Sequence, residues 1–282
     1  MTVTRVGVLG SGIMGLGIAE TVARAGFDVV LRSRSPATAD ASRLALETAM
    51  ARQVAKGSLT RGEADAVAGR VRTMSDLADL GGCHLVIESV VEDLATKVAL
   101  LAEVDQVIGA DVLLASNTST LPIVELAVAV SAPERVCGMH FFNPAPVMKL
   151  VEVVAPITAS EETVAAAMAF ARACGKEPVR VKDRAGFVVN ALLFPYLNNA
   201  VRLLEQGVAD RDGIDQAMRG ACGFPMGPLA LLDLVGLDTS LAILQTLHAE
   251  HADPNYAPVP LLRRLVTAGH LGRKSGRGFY SY

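Results

Sequence analysis

The chain has no strong excess of either charge. Across 282 residues, 26 Lys and Arg stand against 29 Asp and Glu, a formal net charge of −3. Such a balance gives no electrostatic footprint for a phosphate backbone, so no nucleic-acid partner is expected. There is no 18-residue uncharged apolar run, and no membrane partner is expected either. The four cysteines, Cys83, Cys137, Cys174 and Cys222, include no C-x-x-C pair. They read as reduced, mostly buried thiols in a cytoplasmic protein. No signal-peptide pattern is present, because the first apolar run reads as a strand. No internal repeat or low-complexity tract is visible. His248 and His251 lie three residues apart with no third ligand in sight, so they read as surface histidines and no metal site is expected.

What is present is apolar and glycine-punctuated. Half the residues are apolar, enough for a sizeable core, and the length predicts two domains. The defining stretch is Arg5-Val6-Gly7-Val8-Leu9-Gly10-Ser11-Gly12-Ile13-Met14-Gly15, a β-branched run entering G-x-G-x-x-G and then an Ala-rich helical pattern. In that context Gly10 permits a tight turn. Gly12 lets a pyrophosphate approach the backbone, and Gly15 lets the helix pack on the strand. The phosphates would meet free N–H groups at the helix start, about Ile13 and Met14.

Strand and helix patterns then alternate. Strands are predicted over 27–32, 70–73, 84–89, 112–115, 135–140, 149–154 and 177–181. Helices are predicted over 37–56, 60–68, 93–107 and 161–174, with a capping box at Thr60 and Glu63. This alternation predicts an α/β domain over 1–183, a Rossmann-like, doubly wound, mostly parallel sheet. From Phe187 onward the pattern is almost purely helical: 187–205, 211–220, 228–235, 237–248 and 259–268. Pro195 should kink the first of these. That helix is apolar over much of its surface, so it must be buried centrally or against another subunit. Residues 184–282 are therefore read as a helical substrate and dimerisation domain. The tail ends in aromatics, Phe279 and Tyr280, which predicts that it packs back on the body.

Two clusters stand at predicted strand ends, where open α/β sheets place their sites. Ser116-Asn117-Thr118-Ser119-Thr120 can hold a polar substrate, or one of its members can cap a helix over 121–130. His140 is placed where an imidazole acts as general base. Glu152, inside the apolar run Leu150-Val151-Glu152-Val153-Val154, needs a partner, and His140 is the natural one.

These motifs, with Gly186-Phe187-Val188-Val189-Asn190 and Pro225-Met226-Gly227-Pro228, resemble the L-3-hydroxyacyl-CoA dehydrogenase family, in particular its short-chain bacterial members. The resemblance runs through the terminal Gly-Arg-Gly-Phe-Tyr. It implies an oxidoreductase that interconverts 3-oxoacyl and (S)-3-hydroxyacyl thioesters. His140 would be the base, Glu152 its carboxylate partner, Ser119 the contact to the substrate oxygen and nicotinamide region, and Asn190 the group that positions the acyl end. Glu92, Lys97, Asn143 and Lys274 match cofactor-contacting positions. Arg52 and Lys56 match positions used for CoA phosphates.

One departure concerns the cofactor. The family's acidic residue at the end of the second strand is replaced by Ser33, flanked by Arg32 and Arg34. A carboxylate repels a 2′-phosphate, whereas Arg and Ser can bind one. The cofactor is therefore expected to be NAD(P), with NADP(H) preferred. Ala185 and Ala191 also depart from the usual Pro and Arg, without touching a catalytic role. Two alternatives are the same chemistry on an acyl-carrier-protein thioester, with Arg52 and Lys56 facing the carrier, and a non-catalytic nucleotide-binding structural protein. The expected assembly is a homodimer through the helical domain.

Overall fold

In the computed structural model, which describes residues 3–282, strand β1 (Arg5–Leu9) runs into α1 (Ile13–Arg24) through the glycine turn. Gly10 adopts φ +98°, and a Cβ there would collide with the carbonyl of Ser89. A Cβ on Gly15 would collide with the carbonyl of Gly10, so only glycine lets α1 sit this low on the sheet. β2 (Asp28–Arg32), α2 (Pro36–Ala55), α3 (Arg61–Arg70) and β3 (Val71–Met74) follow. Then come β4 (Leu85–Glu88), α4 (Leu94–Asp105), β5 (Leu113–Ser116), the short α5 (Ile123–Ala127), β6 (Val136–Phe141), β7 (Leu150–Ala155), α6 (Glu161–Ala173) and β8 (Glu177–Lys182). The predicted capping box at Thr60 is formed, with Glu63 returning to the Thr60 N–H at 2.7 Å.

The eight strands form one sheet in the order β3-β2-β1-β4-β5-β6-β7-β8. β1, β4, β5 and β6 are buried along nearly their whole length, because helices cover both faces. Val6, Val8, Val29 and Leu31 pack with Ile18, Ala19 and Val22 of α1 in the main core. The sheet is mostly parallel, as the alternation of elements predicts, and one pair is the exception. β7 runs antiparallel to β6, and β8 then pairs parallel to β7. The β6–β7 connection is only residues 142–149, too short for the dozen or more residues a parallel crossover needs.

The chain divides at Asp183 and Arg184 into two compact units. The second is helical: α7 (Val189–Glu205), α8 (Arg211–Cys222), α9 (Pro228–Val235), α10 (Leu237–His251) and α11 (Pro260–Thr267). Pro195 lies inside α7. One face of α7 is buried through Phe194, Leu197, Ala200 and Val201, while Leu192 is 71% and Leu203 43% exposed. The helix is thus not enclosed on all sides within its own unit.

The tail does pack back. Asp233, 1% exposed, accepts from the backbone N–H groups of Phe279 at 2.9 Å and Tyr280 at 2.8 Å, and from the Tyr282 hydroxyl at 3.1 Å. Asp233→Ala strands those N–H groups. It is expected to cost about 3 kcal/mol, a fall in Tm of roughly 6–12 °C. A scanning-calorimetry shift below about 1 °C would show that the carboxylate does not hold the tail.

Candidate active site

The glycine turn presents an open anion site. Gly12 caps α1 without any side-chain cap, and the first turn of the helix holds no acidic residue. A methyl on Gly12 would meet nothing within 4 Å, so the backbone there is open to a ligand. Ile13 is 79% exposed at the helix start, with Met14 beside it partly buried. Free N–H groups and the positive end of the helix macrodipole therefore face outward, and the residues present fit a pyrophosphate.

At the end of β2 the structure separates the three residues expected to read the adenosine ribose. Ser33 is 1% exposed, and its hydroxyl lies 3.2 Å from the Ser42 hydroxyl of α2. It is a packing residue, which corrects the expectation that it contacts the cofactor. Arg32 is partly buried and donates through Nε to the Ser75 carbonyl at 3.1 Å. Arg34 is exposed. Arg52 and Lys56 are exposed one turn apart, in and just after the last turn of α2.

The next strand ends hold a polar network. Glu88, the last residue of β4, is fully buried. It accepts from Lys97 Nζ at 2.7 and 2.9 Å, from the Ser116 hydroxyl at 2.5 Å, and from the Val90 N–H at 2.6 Å. Lys97 Nζ also lies 3.3 Å from Glu92. Glu92 in turn gathers the Ser119 loop. It accepts from the Thr118 hydroxyl at 2.6 Å, the Ser119 N–H at 2.8 Å and the Ser119 hydroxyl at 3.2 Å. Burial pushes the Glu92 carboxyl up; the Lys97 cation and the Thr118 and Ser119 hydrogen bonds outweigh it and hold Glu92 below the usual carboxylate range.

Lys97 is 1% exposed, so it does not present its ammonium to a ligand. The expected cofactor contact is corrected to a supporting one: Lys97 reaches the site through Glu92 and Glu88. Of the hydroxyl run, Ser119 remains half-buried at the site. Ser116 is turned inward to Glu88, and Asn117 accepts from the Phe141 N–H at 2.8 Å, tying β5 to the end of β6. The helix expected over 121–130 is only Ile123–Ala127, with Pro122 as its N-cap. Its first N–H groups, those of Ile123 and Val124, go to the Asp183 carboxylate at 2.9 and 2.8 Å rather than to a nearby hydroxyl.

On β6 and β7 the expected pair is formed. His140 and Glu152 are directly opposite in the antiparallel register, and His140 Nδ1 lies 2.8 Å from Glu152 Oε2. A neutral imidazole that donates from Nδ1 to this carboxylate would carry its lone pair on Nε2. Both residues are buried, and the Phe142 ring packs 4.4 Å from the imidazole, centroid to centroid. Asn143 is exposed on the following loop.

Two expected site residues belong to the second unit. Asn190 is 7% exposed in the first turn of α7, and Lys274 pairs with Asp238 at 2.6 Å. His251 lies 3.2 Å from the Ala185 carbonyl and stacks on Tyr256. Among the described residues no group of three His, Cys, Asp or Glu could hold a metal ion.

Sequence reasoning passed over Glu88 and Asp183. Glu88 sits in Leu85-Val86-Ile87-Glu88, and the logic applied to Glu152 applies to it equally: a carboxylate closing an apolar strand needs a partner.

Residues 5–184 match the NAD-binding domain of 3-hydroxyacyl-CoA dehydrogenase, and residues 186–282 match its C-terminal domain. The chain is 48% identical over 282 residues to 3-hydroxybutyryl-CoA dehydrogenase of Mycobacterium tuberculosis, covering 99% of each chain. It is 41% identical over 288 residues to human mitochondrial hydroxyacyl-coenzyme A dehydrogenase, with 99% of this chain and 91% of that one covered. The solved structure of (S)-3-hydroxybutyryl-CoA dehydrogenase from Ralstonia eutropha superposes with a TM-score of 0.96 at 41% identity, covering 100% of this chain and 99% of that one.

Proposed function

The chain belongs to the 3-hydroxyacyl-CoA dehydrogenase family, and on that premise we propose that it interconverts acetoacetyl-CoA and (S)-3-hydroxybutyryl-CoA with a nicotinamide dinucleotide. The observation that carries the reading is the His140–Glu152 pair at 2.8 Å, standing at the end of β6, the strand that pairs with β5 ahead of the Ser119 loop. A nicotinamide dinucleotide held at the glycine turn would supply the hydride donor or acceptor for C3 of the substrate. The residues of the chain handle the rest. His140 Nε2 takes the proton of the 3-hydroxyl in oxidation and returns it in reduction. Glu152 holds the ring in one tautomer and stabilises the imidazolium. Ser119, steadied by Glu92, hydrogen-bonds the 3-oxygen, and Asn190 positions the acyl group.

The α1 N-terminus would hold the pyrophosphate, with Glu92, Asn143 and Lys274 as further cofactor contacts. Arg52 and Lys56 would neutralise the CoA phosphates, or face a carrier protein if the acyl group arrives on one. The exposed Leu192 and Leu203 of α7 support a homodimer through the helical unit.

The cofactor preference we propose is for NADP(H). It rests on Arg34, exposed at the end of β2, and on the lack of a carboxylate there. Steady-state kinetics with acetoacetyl-CoA, using NADH and NADPH in parallel, test both readings. Turnover with a higher kcat/KM for NADPH is expected. A strong NADH preference removes the cofactor reading, and no turnover removes the function. Acetoacetyl esters of CoA and of acyl carrier protein, compared in the same assay, decide the substrate carrier.

A further inference from the structure

A buried ammonium without a carboxylate partner is unfavourable, and among the described residues Lys176 is such a group. It stands at the turn between α6 and β8 and is 8% exposed. Its Nζ donates to two carbonyl oxygens, Ala145 at 2.6 Å and Met148 at 2.8 Å. Both belong to the connection 142–149, which reverses the chain between the His140 strand and the Glu152 strand. The connection is also bonded to itself, with the N–H groups of Val147 and Met148 on the Pro144 carbonyl at 2.9 and 3.0 Å.

One end of this connection carries Phe142, whose ring packs on His140. Its middle rests on α1: a methyl on Gly17 would stand 3.3 Å from Ala145 Cβ and 3.4 Å from Pro146 Cδ. Burial lowers the Lys176 ammonium below its ordinary range, and the Arg24 cation adds to this. A space-filling role would be met by methionine, of similar length and without the desolvation cost. The charge is explained by what it holds.

We propose that Lys176 is a positioning residue for the proton-transfer step: its ammonium ties Ala145 and Met148 together and so holds Phe142 against His140 and Asn143 in place at the strand end. The proposal rests on the reading of His140 as the acid–base group, and its test begins with a measurement that needs no activity.

Lys176→Met is made in the full chain and followed by amide hydrogen exchange and by kinetics. The amides of Val147 and Met148 are expected to exchange at least ~10-fold faster, with the strands of the sheet unchanged. The kcat for acetoacetyl-CoA is expected to fall about 10–100-fold, with KM within about 3-fold. Lys176→Arg, which keeps a cation able to donate to both carbonyls, is expected to recover most of kcat. Unchanged exchange overturns the proposal. Faster exchange with unchanged kcat also overturns it, because Lys176 would then be a structural staple only.

Gly17→Ala reaches the connection from the opposite side. Its methyl must push Ala145 and Pro146 by a few tenths of an ångström, and kcat is expected to fall by at least ~3-fold. The added loss should be smaller in the Lys176→Met background, where the connection is already released. Additive losses overturn the coupling. Should Lys176→Met not fold, Gly17→Ala alone decides, and an unchanged kcat overturns the proposal. A wild-type chain inactive on acetoacetyl-CoA removes the functional reading, whereas the exchange measurement still reports whether Lys176 holds the connection.

Discussion

Replacing His140 by Gln lowers kcat for acetoacetyl-CoA by about 10²–10⁴-fold, the range expected when a positioned acid–base group is removed. Gln keeps the approximate volume and can still bond Glu152, so the 2.8 Å contact is replaced rather than left as a lone buried carboxylate. The fold is therefore retained, and the loss falls on the chemical step. KM for the thioester changes much less than kcat, because the amide side chain cannot relay the proton yet leaves the binding groups in place. Glu152→Gln is the companion variant. It leaves a neutral partner that holds the ring less firmly in one tautomer and does not stabilise the imidazolium. A double-mutant cycle should show the two losses to be strongly non-additive, since they interrupt one unit. Near-normal turnover in His140→Gln would refute the assignment outright.

The second large effect is on stability. Lys97→Met removes the cation that, among the described residues, bridges Glu88 and Glu92, and leaves a fully buried carboxylate without its counter-charge. Breaking a buried pair from one side costs about 3–5 kcal/mol. Urea unfolding at neutral pH should show that loss, and a change below about 1 kcal/mol would contradict it.

The pH dependence follows from Glu92. Its carboxyl is held below the unfolded value, so its contribution is present above the ordinary carboxylate range and is lost as pH falls through the depressed folded value. In the variant, burial acts on Glu92 without the Lys97 cation to oppose it, and the carboxyl moves up. The gap between wild type and variant should therefore be widest near neutrality and narrow below about pH 4. A gap that is constant with pH would mean that the loss is one of packing alone.

The local features were the legible ones. The glycine turn, the Thr60–Glu63 capping box and the strand–helix alternation each depend on neighbours a few residues away, and periodicity records those. The His140–Glu152 pair was also readable, because an acidic residue inside an apolar strand asks for a partner and the nearest suitable one was on the preceding strand. What was hidden depends on register and on distant contacts. Ser33 looked available until Ser42, on the helix that follows, was placed over it. The supporting role of Lys97 was hidden because it needs Glu88 and Ser116 side by side, a product of β4–β5 pairing. Asp183 caps a helix sixty residues earlier, and no local pattern records that. The reversal at β7 follows from the short 142–149 connection, whose bounds depend on where the two strands end.

That reversal has a thermodynamic consequence. Opposed residues in an antiparallel ladder are fixed by the backbone, so the imidazole and carboxylate are brought to hydrogen-bond distance when the sheet forms. The entropy lost in ordering the acid–base pair is then charged to folding, not to the encounter with substrate. The proposed dyad is preorganised before any ligand arrives, and binding energy from the thioester would be left to orient the acyl group.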